Sequence, residues 1–342
     1  MITIIEPVRV ALEHQAFNAS LLQAVVAAYP GESVEFWAEP GHLQSVAQSL
    51  PVDLPISYFP LVIAPRRGNI WQRLRADFAA ARLGLNRAKS PQQRVIFSSV
   101  TIPLLWACKA LCYLPLSHRL GAIVHGGLAE LRWNPRFNFF KRWTSLRWAM
   151  AIAPQWLSFW VLEQSIADAL PRFAPELAGR FAVFPHPLPP DLVDVVHEPP
   201  RQPVVIGLLG LATPQKGLLR FLNVATALQG RGAEFHLVGR VHQDWRTEVA
   251  GRLGVLSQQP ESVPMPRQLF VERARRLTYG AFFFDGEHYA LTASGVLLDC
   301  IALGIPLLGC RHPLFAALEA EVGEIGHFCE PGEEVELVAQ VI

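Results

Sequence analysis

From residue 204 onward, short apolar runs alternate with stretches whose apolar positions recur at helical spacing. The runs predict strands at Val204–Leu209, Glu234–Val238, Ala281–Phe284 and Pro306–Leu308. The stretches predict helices at Gly217–Leu228, Asp244–Leu253, Arg267–Leu277, Ser294–Leu303 and Pro313–Glu321. Such alternation implies a parallel sheet with right-handed crossovers. The first half is less regular, yet Ile2–Ile5, Val34–Trp37, Val95–Ser98, Ala122–His125 and Leu157–Leu162 read as buried strands between helical stretches. The expected class is α/β, with a doubly wound, Rossmann-like sheet in each half.

The division falls in FPHPLPPDLVDVVHEPPRQP, residues 184–203, where clustered prolines remove backbone donors and fix φ. This predicts an N-terminal domain over 1–184, a proline-rich linker over 185–203 and a C-terminal domain over 204–342. A length of 342 residues agrees with two cores. With 30 basic and 29 acidic residues there is no global field for nucleic acid, which is not expected as a partner. Five cysteines without CxxC spacing or a histidine cluster suggest neither a disulfide framework nor a metal site. The N-terminus soon carries Glu6, Arg9 and Glu13, unlike a secretory signal, and the most apolar stretch, Val100–Leu116, is broken by Pro103 and Pro115. The expected location is cytoplasmic.

Ligands of open parallel sheets bind beyond the carboxyl ends of the strands, so the loops there carry the candidate chemistry. In GLLGLATPQKG, residues 207–217, a strand runs through Gly210 to Lys216, Gly217 and a helix. Free amides at a helix start, beside a lysine, suit a diphosphate. The competing reading is an exposed lysine in an ordinary turn. In DGEHYALTASGVLLDCIALGIP, residues 285–306, Tyr289 lies in the loop, Thr292 or Ser294 can cap the next helix, and Gly295 admits a ligand close to the backbone. Asp299, on the second turn, can accept hydrogen bonds from ribose hydroxyls; a solvated or capping aspartate is the alternative. A third loop, Gly239–Gln243, is placed to border a base.

These segments resemble the C-terminal domain of GT-B glycosyltransferases, especially the family 4 type. There a glycine-initiated loop ends in Lys-Gly before a helix, matched by Gly210, Lys216 and Gly217. An acidic-x-x-Ala-x-Gly-x-Pro stretch follows, matched by Asp299, Ala302, Gly304 and Pro306. The resemblance implies two Rossmann-like domains facing a cleft and a donor that is a nucleotide sugar, UDP- or GDP-linked, with no further cofactor. Lys216 would then neutralise the diphosphate, Ser294 and Gly295 would present amides to it, and Asp299 would hold the ribose. Where the family commonly carries a basic residue and a glutamate, this chain has Leu211 and Leu291. Such proteins usually fold a closing helix back onto the first domain, and the C-terminal domain over 204–342 is expected to lack that final helix.

The N-terminal half is then the acceptor side. His125, followed by Gly126 and Gly127, is the candidate catalytic group, as a base or as a donor to developing charge. His14 and Asn18 are candidate acceptor-side contacts, while His186 sits in the linker and shapes the hinge. For the histidines the competing role is structural hydrogen bonding. Residues 131–150 mix Arg132, Arg136, Lys141, Arg142 and Arg147 with Trp133, Trp143, Trp148 and phenylalanines, which suits a peripheral contact with the inner face of a membrane, a polyanion, or aromatics buried under the domain. The leading expectation is sugar transfer to a glycan or lipid-linked acceptor in bacterial surface polysaccharide or glycolipid synthesis. The alternatives are a catalytically silent GT-B-like binding or scaffold protein and, third, a GT-B-fold epimerase.

Overall fold

Ile2, Ile4 and Ile5 lose all contact with solvent, because the strand they form lies inside a sheet covered on both faces. Alternate side chains leave opposite faces of a strand: Ile2 and Ile4 join one core cluster, Ile5 another. The computed structural model describes residues 1–65, 68–111, 120–135, 138–189, 192 and 203–342. It divides into two compact units, residues 1–190 with 291–293, and residues 191–290 with 294–342. Of the expected linker, residues 190–191 and 193–202 lie outside the described residues, as does Cys112.

The first unit carries seven strands: β1 (Ile2–Ile5), β2 (Val34–Ala38), β3 (Ile56–Pro60), β4 (Arg94–Phe97), β5 (Leu120–Ile123), β6 (Leu157–Val161) and β7 (Phe181–Val183). All pair in parallel, in the order β3-β2-β1-β4-β5-β6-β7. The chain winds outward to β3, then crosses back to β4 beside β1, so the switch point lies between β1 and β4. The five expected strands are present within two residues. The two others are edge strands, and the half-exposed ISYFP of β3 offers neither a continuous apolar run nor a clean alternation.

The second unit carries β8 (Val204–Ala212), β9 (Ala233–Val241), β10 (Tyr279–Phe282), β11 (Leu307–Cys310) and β12 (Gly326–Cys329), parallel in the order β12-β11-β10-β8-β9. Here the switch point falls between β8 and β10. Ala281 and Phe283 face one core, Phe282 and Phe284 the other. Each of these buried phenylalanines contributes about 1.5–3 kcal/mol relative to exposure.

Three expectations differ. β8 does not end at Leu209 but runs to Ala212, in register with β9 throughout, with Gly210 opposite Gly239. A Cβ on Gly239 would lie 2.0 Å from the Gly210 carbonyl oxygen, so a glycine there lets the two strands stay together past the bend at Gly210 (φ 80°). Gly239 is thus a strand residue, not the start of a loop. The helix expected over Asp244–Leu253 breaks into short pieces, Gln243–Trp245, Arg246–Val249 and Ala250–Val255, where Gly251 and Gly254 weaken helical preference. The helix Glu334–Val341 was not expected at all.

Candidate functional site

In the second unit, β8 leads through the short turn Pro214–Lys216 into the helix Leu218–Ala227. The Thr213 hydroxyl and carbonyl both accept from the Lys216 amide, at 3.3 and 3.0 Å. Gly217 (φ 85°) makes the switch into the helix, and a Cβ there would lie 2.4 Å from the Phe283 carbonyl oxygen. Only glycine fits both the conformation and the space. The Asp285 amide donates to the Gln215 carbonyl at 2.9 Å, tying this turn to the segment after β10.

The second segment ends at Ser294, whose buried carbonyl accepts from the amides of Leu297 and Leu298 as the helix Gly295–Ala302 begins. The first turn of that helix stands against Gly210: a methyl on Gly210 would lie 2.9 Å from Val296 Cγ1 and 3.9 Å from Lys216 Nζ. The two sequence segments therefore meet at the switch point, with the ammonium beside a helix N-terminus. Lys216 is half-buried, and desolvation lowers its pKa from 10.5 to about 8.

Asp299 is neither solvated nor capping. It is buried, and its Oδ2 and Oδ1 accept from Arg267 Nη1 and Nη2 at 2.9 and 2.8 Å. Arg267 opens the helix Arg267–Ala274, and no local pattern marked it; only the tertiary fold brings it to Asp299. Tyr289 is buried and stacks on Phe284, ring centroids 3.8 Å apart. Thr292 is half-buried and groups with the first unit. Leu291 is buried. Leu211 is level with half-buried Arg240 on β9, whereas the exposed Arg311 pairs with Glu330 at 3.2 Å.

The first unit has its own polar cluster where β1, β4 and β5 end. Glu6, fully buried, follows β1 and accepts from the amides of Val8 and Arg9, from Asn18, and from the hydroxyls of Ser98 and Ser99 after β4. A carboxylate so far from solvent persists because hydrogen bonds replace water. The sequence reading missed it, although a charge directly after the apolar run ITII was the available signal. Asn18 is fully buried and also bonds His42 Nε2 at 2.8 Å, and His42 Nδ1 donates to the Ala11 carbonyl at 2.7 Å. This chain of contacts fixes the loop between β1 and the helix Gln15–Ala28. In that loop Ala11 (φ 47°) and His14 (φ 53°) both adopt the left-handed conformation that non-glycine residues rarely take.

The loop places the His14 ring 4.6 Å from that of His125, centroid to centroid. Phe17 lies 4.7 Å from His125 and 5.3 Å from His186, so three histidines surround one phenylalanine. His125 Nε2 donates to the Ser98 carbonyl at 2.8 Å, which leaves Nδ1 as the basic nitrogen. Desolvation, then nearby Arg9, lowers its pKa to about 4, against a smaller opposing effect of Glu6. Burial and His125 likewise lower His14, which keeps an exposed side. His125 is thus a neutral imidazole near pH 7, suited to hydrogen bonding with a hydroxyl and poor as a proton sink.

Three of the cations in residues 131–150 pair within the first unit, while Lys141 is exposed. Arg147 is buried against Glu176 and the carbonyls of Leu131 and Phe173, Arg142 covers Trp148 at 4.4 Å, and Arg132 covers Phe173 at 5.1 Å. Trp133 and Trp143 stay about half exposed, while Arg136 lies outside the described residues. Among the described residues no helix is long and apolar enough to cross a membrane, and no cluster of three or more His, Cys, Asp or Glu is placed to hold a metal ion.

No protein-family model and no curated protein matches this sequence. Solved structures do match. WaaG, described as a glycosyltransferase involved in lipopolysaccharide biosynthesis, superimposes with a TM-score of 0.62 at 14% identity, over 99% of this chain and 90% of that one. Anabaena HepE in complex with UDP-glucose gives 0.64 at 14% identity, over 99% and 88%. The UDP-forming α,α-trehalose-phosphate synthase of Burkholderia vietnamiensis gives 0.55 at 12%, over 99% and 90%. Likeness at such identities concerns the backbone, and the backbone of this chain is that of the GT-B glycosyltransferase fold.

Proposed function

We propose that this protein is a glycosyltransferase that takes a sugar from a UDP- or GDP-linked donor and passes it to a glycan or lipid-linked acceptor. One observation carries the reading: Lys216 Nζ and the first turn of the helix Gly295–Ala302 meet over Gly210 at the switch point of the second unit. A positive charge beside a helix N-terminus suits a doubly charged phosphate group. The donor's diphosphate would lie there, with Arg240 the register partner of Leu211 on β9. Asp299, held by Arg267, is the carboxylate that the ribose hydroxyls would meet.

The first unit supplies the acceptor's contacts. His125 Nδ1 accepts from the attacking hydroxyl and orients it, with Ser98, Ser99 and Glu6 fixing the ring. WaaG, whose description places it in lipopolysaccharide biosynthesis, supports a setting in bacterial surface glycolipid or polysaccharide assembly.

The test is turnover of labelled UDP- and GDP-sugars, together with UDP and GDP binding, by the intact protein and by Lys216→Ala. Binding that is unchanged in the variant would remove Lys216 from the donor site. A second reading, binding without turnover, is favoured by Leu291, a buried leucine where the resembling family carries a glutamate. Release of sugar from any donor dismisses it.

A further inference from the structure

The helix Ile70–Arg87 turns an unusual face inward. Its buried positions are Asp77, Ala80, Ala81, Gly84 and Leu85, mostly small, and a Cβ on Gly84 would lie 2.6 Å from the Phe97 ring. Close packing on β4 therefore uses the small residues, with Leu85 in the core, while Ile70, Trp71 and Phe78 point outward. Trp71 is 75% exposed, Phe78 42% and Ile70 57%. Trp71, Arg75, Phe78 and Arg82 follow one another at steps of three or four, a single stripe, and together with Leu74 and Ala79 they line one shallow depression. The only acidic residue of the helix, Asp77, is on the buried face.

We propose that this stripe docks on an anionic phospholipid bilayer. Charge decides the occupant. The chain as a whole carries a formal charge of only +1, yet the outward face of this helix has arginines and no carboxylate. A second copy of the chain would bring the same arginines against each other across a two-fold axis. A bilayer accepts both components, taking Trp71 and Phe78 at the interface and pairing Arg75 and Arg82 with phosphates.

The helix follows β3 and leads into β4, so its N-terminal end lies at the edge of the sheet where the strands' carboxyl ends bring Ser98, Ser99 and His125 together. Docking through Trp71 would hold that edge near the membrane surface, within reach of a lipid-linked hydroxyl. The proposal stands whether or not the donor site turns over a sugar.

The experiment is sedimentation of the full chain with vesicles of phosphatidylcholine alone or mixed with phosphatidylglycerol, at low and high salt. Binding to the anionic vesicles is expected, weakened roughly tenfold or more by high salt and by Arg75→Glu with Arg82→Glu. The pair Trp71→Ala and Phe78→Ala is expected to lose binding to a similar degree while keeping the parent's thermal melt and UDP binding. The pair Trp133→Ala and Trp143→Ala, in the 131–150 segment, is expected to bind as the parent does. Absence of binding by the parent overturns the proposal. So does loss in the Trp133 and Trp143 pair instead, or a dimer that the Trp71 and Phe78 pair dissolves while vesicle binding stays unchanged.

Discussion

Arg267 and Asp299 form a two-pronged ion pair, 2.9 and 2.8 Å, in which the carboxylate is buried and the guanidinium nearly so. Removing one partner strands the other charge. Arg267→Ala is expected to destabilise the protein by about 3–5 kcal/mol in urea unfolding. The double replacement Arg267→Met with Asp299→Leu should recover most of that loss, because no lone charge remains. Equal destabilisation by the single and double variants would show that the pair's charges are not what matters.

Lys216, with its pKa lowered to about 8, is cationic at pH 7 and loses its proton just above it. A bound diphosphate favours the charged form, so affinity for UDP or GDP is expected to fall as pH rises through about 8. Calorimetric titrations across that window check the sign. Lys216→Ala should bind roughly tenfold to a hundredfold more weakly, the equivalent of about 1.5–3 kcal/mol for a charged hydrogen bond, and lose the pH dependence.

Gly217→Ala combines a left-handed φ of 85° with a contact of 2.4 Å to the Phe283 carbonyl oxygen. The conformation alone costs on the order of 1–3 kcal/mol. A lowered melting temperature is expected, along with weaker nucleotide binding, because the turn carrying Lys216 must shift. Melting and binding identical to the parent would contradict this geometry.

His125 is held with a pKa of about 4, below its ordinary 6.5. Between those values the unfolded chain binds more protons than the folded one, so this residue makes stability rise with pH over that range. His125→Gln should flatten that part of the stability profile. A ring titration by NMR with a midpoint near 6.5 would show that desolvation does not act as described.

Asp77 shifts the opposite way for an acid. Burial raises its pKa from 3.8 to about 6, against hydrogen bonding from Thr101. The folded state then holds a proton that the unfolded state has released, and stability falls as pH rises between those two values. Asp77→Asn is expected to gain on the order of 2 kcal/mol at pH 7 and little at pH 4, as read by unfolding at both.

The class of fold and most of the central strands are legible from local stretches of the chain. Ile2–Ile5, Val204–Leu209 and Leu307–Leu308 lie inside their sheets and are almost wholly apolar, Thr3 being the exception, so a local window suffices to find them. The Lys216 turn is legible in the same way, because a glycine such as Gly217 is required by one backbone conformation wherever the rest of the chain goes. Edge strands were lost because β3 and β12, half in water, carry no such continuous run. Only the tertiary structure decided the partners. That Arg267 meets Asp299, that Glu6 gathers Asn18, Ser98 and Ser99, and that His14 stands beside His125 depend on contacts between residues 12 to 111 positions apart. Hydrogen bonds and ion pairs at such separations leave no periodic trace along the chain, since each depends on where the crossovers set down a few atoms. The same holds for Trp71 and Phe78: their spacing reads as a buried helical stripe, and only the small residues packed beneath Phe97 reveal that the stripe faces outward.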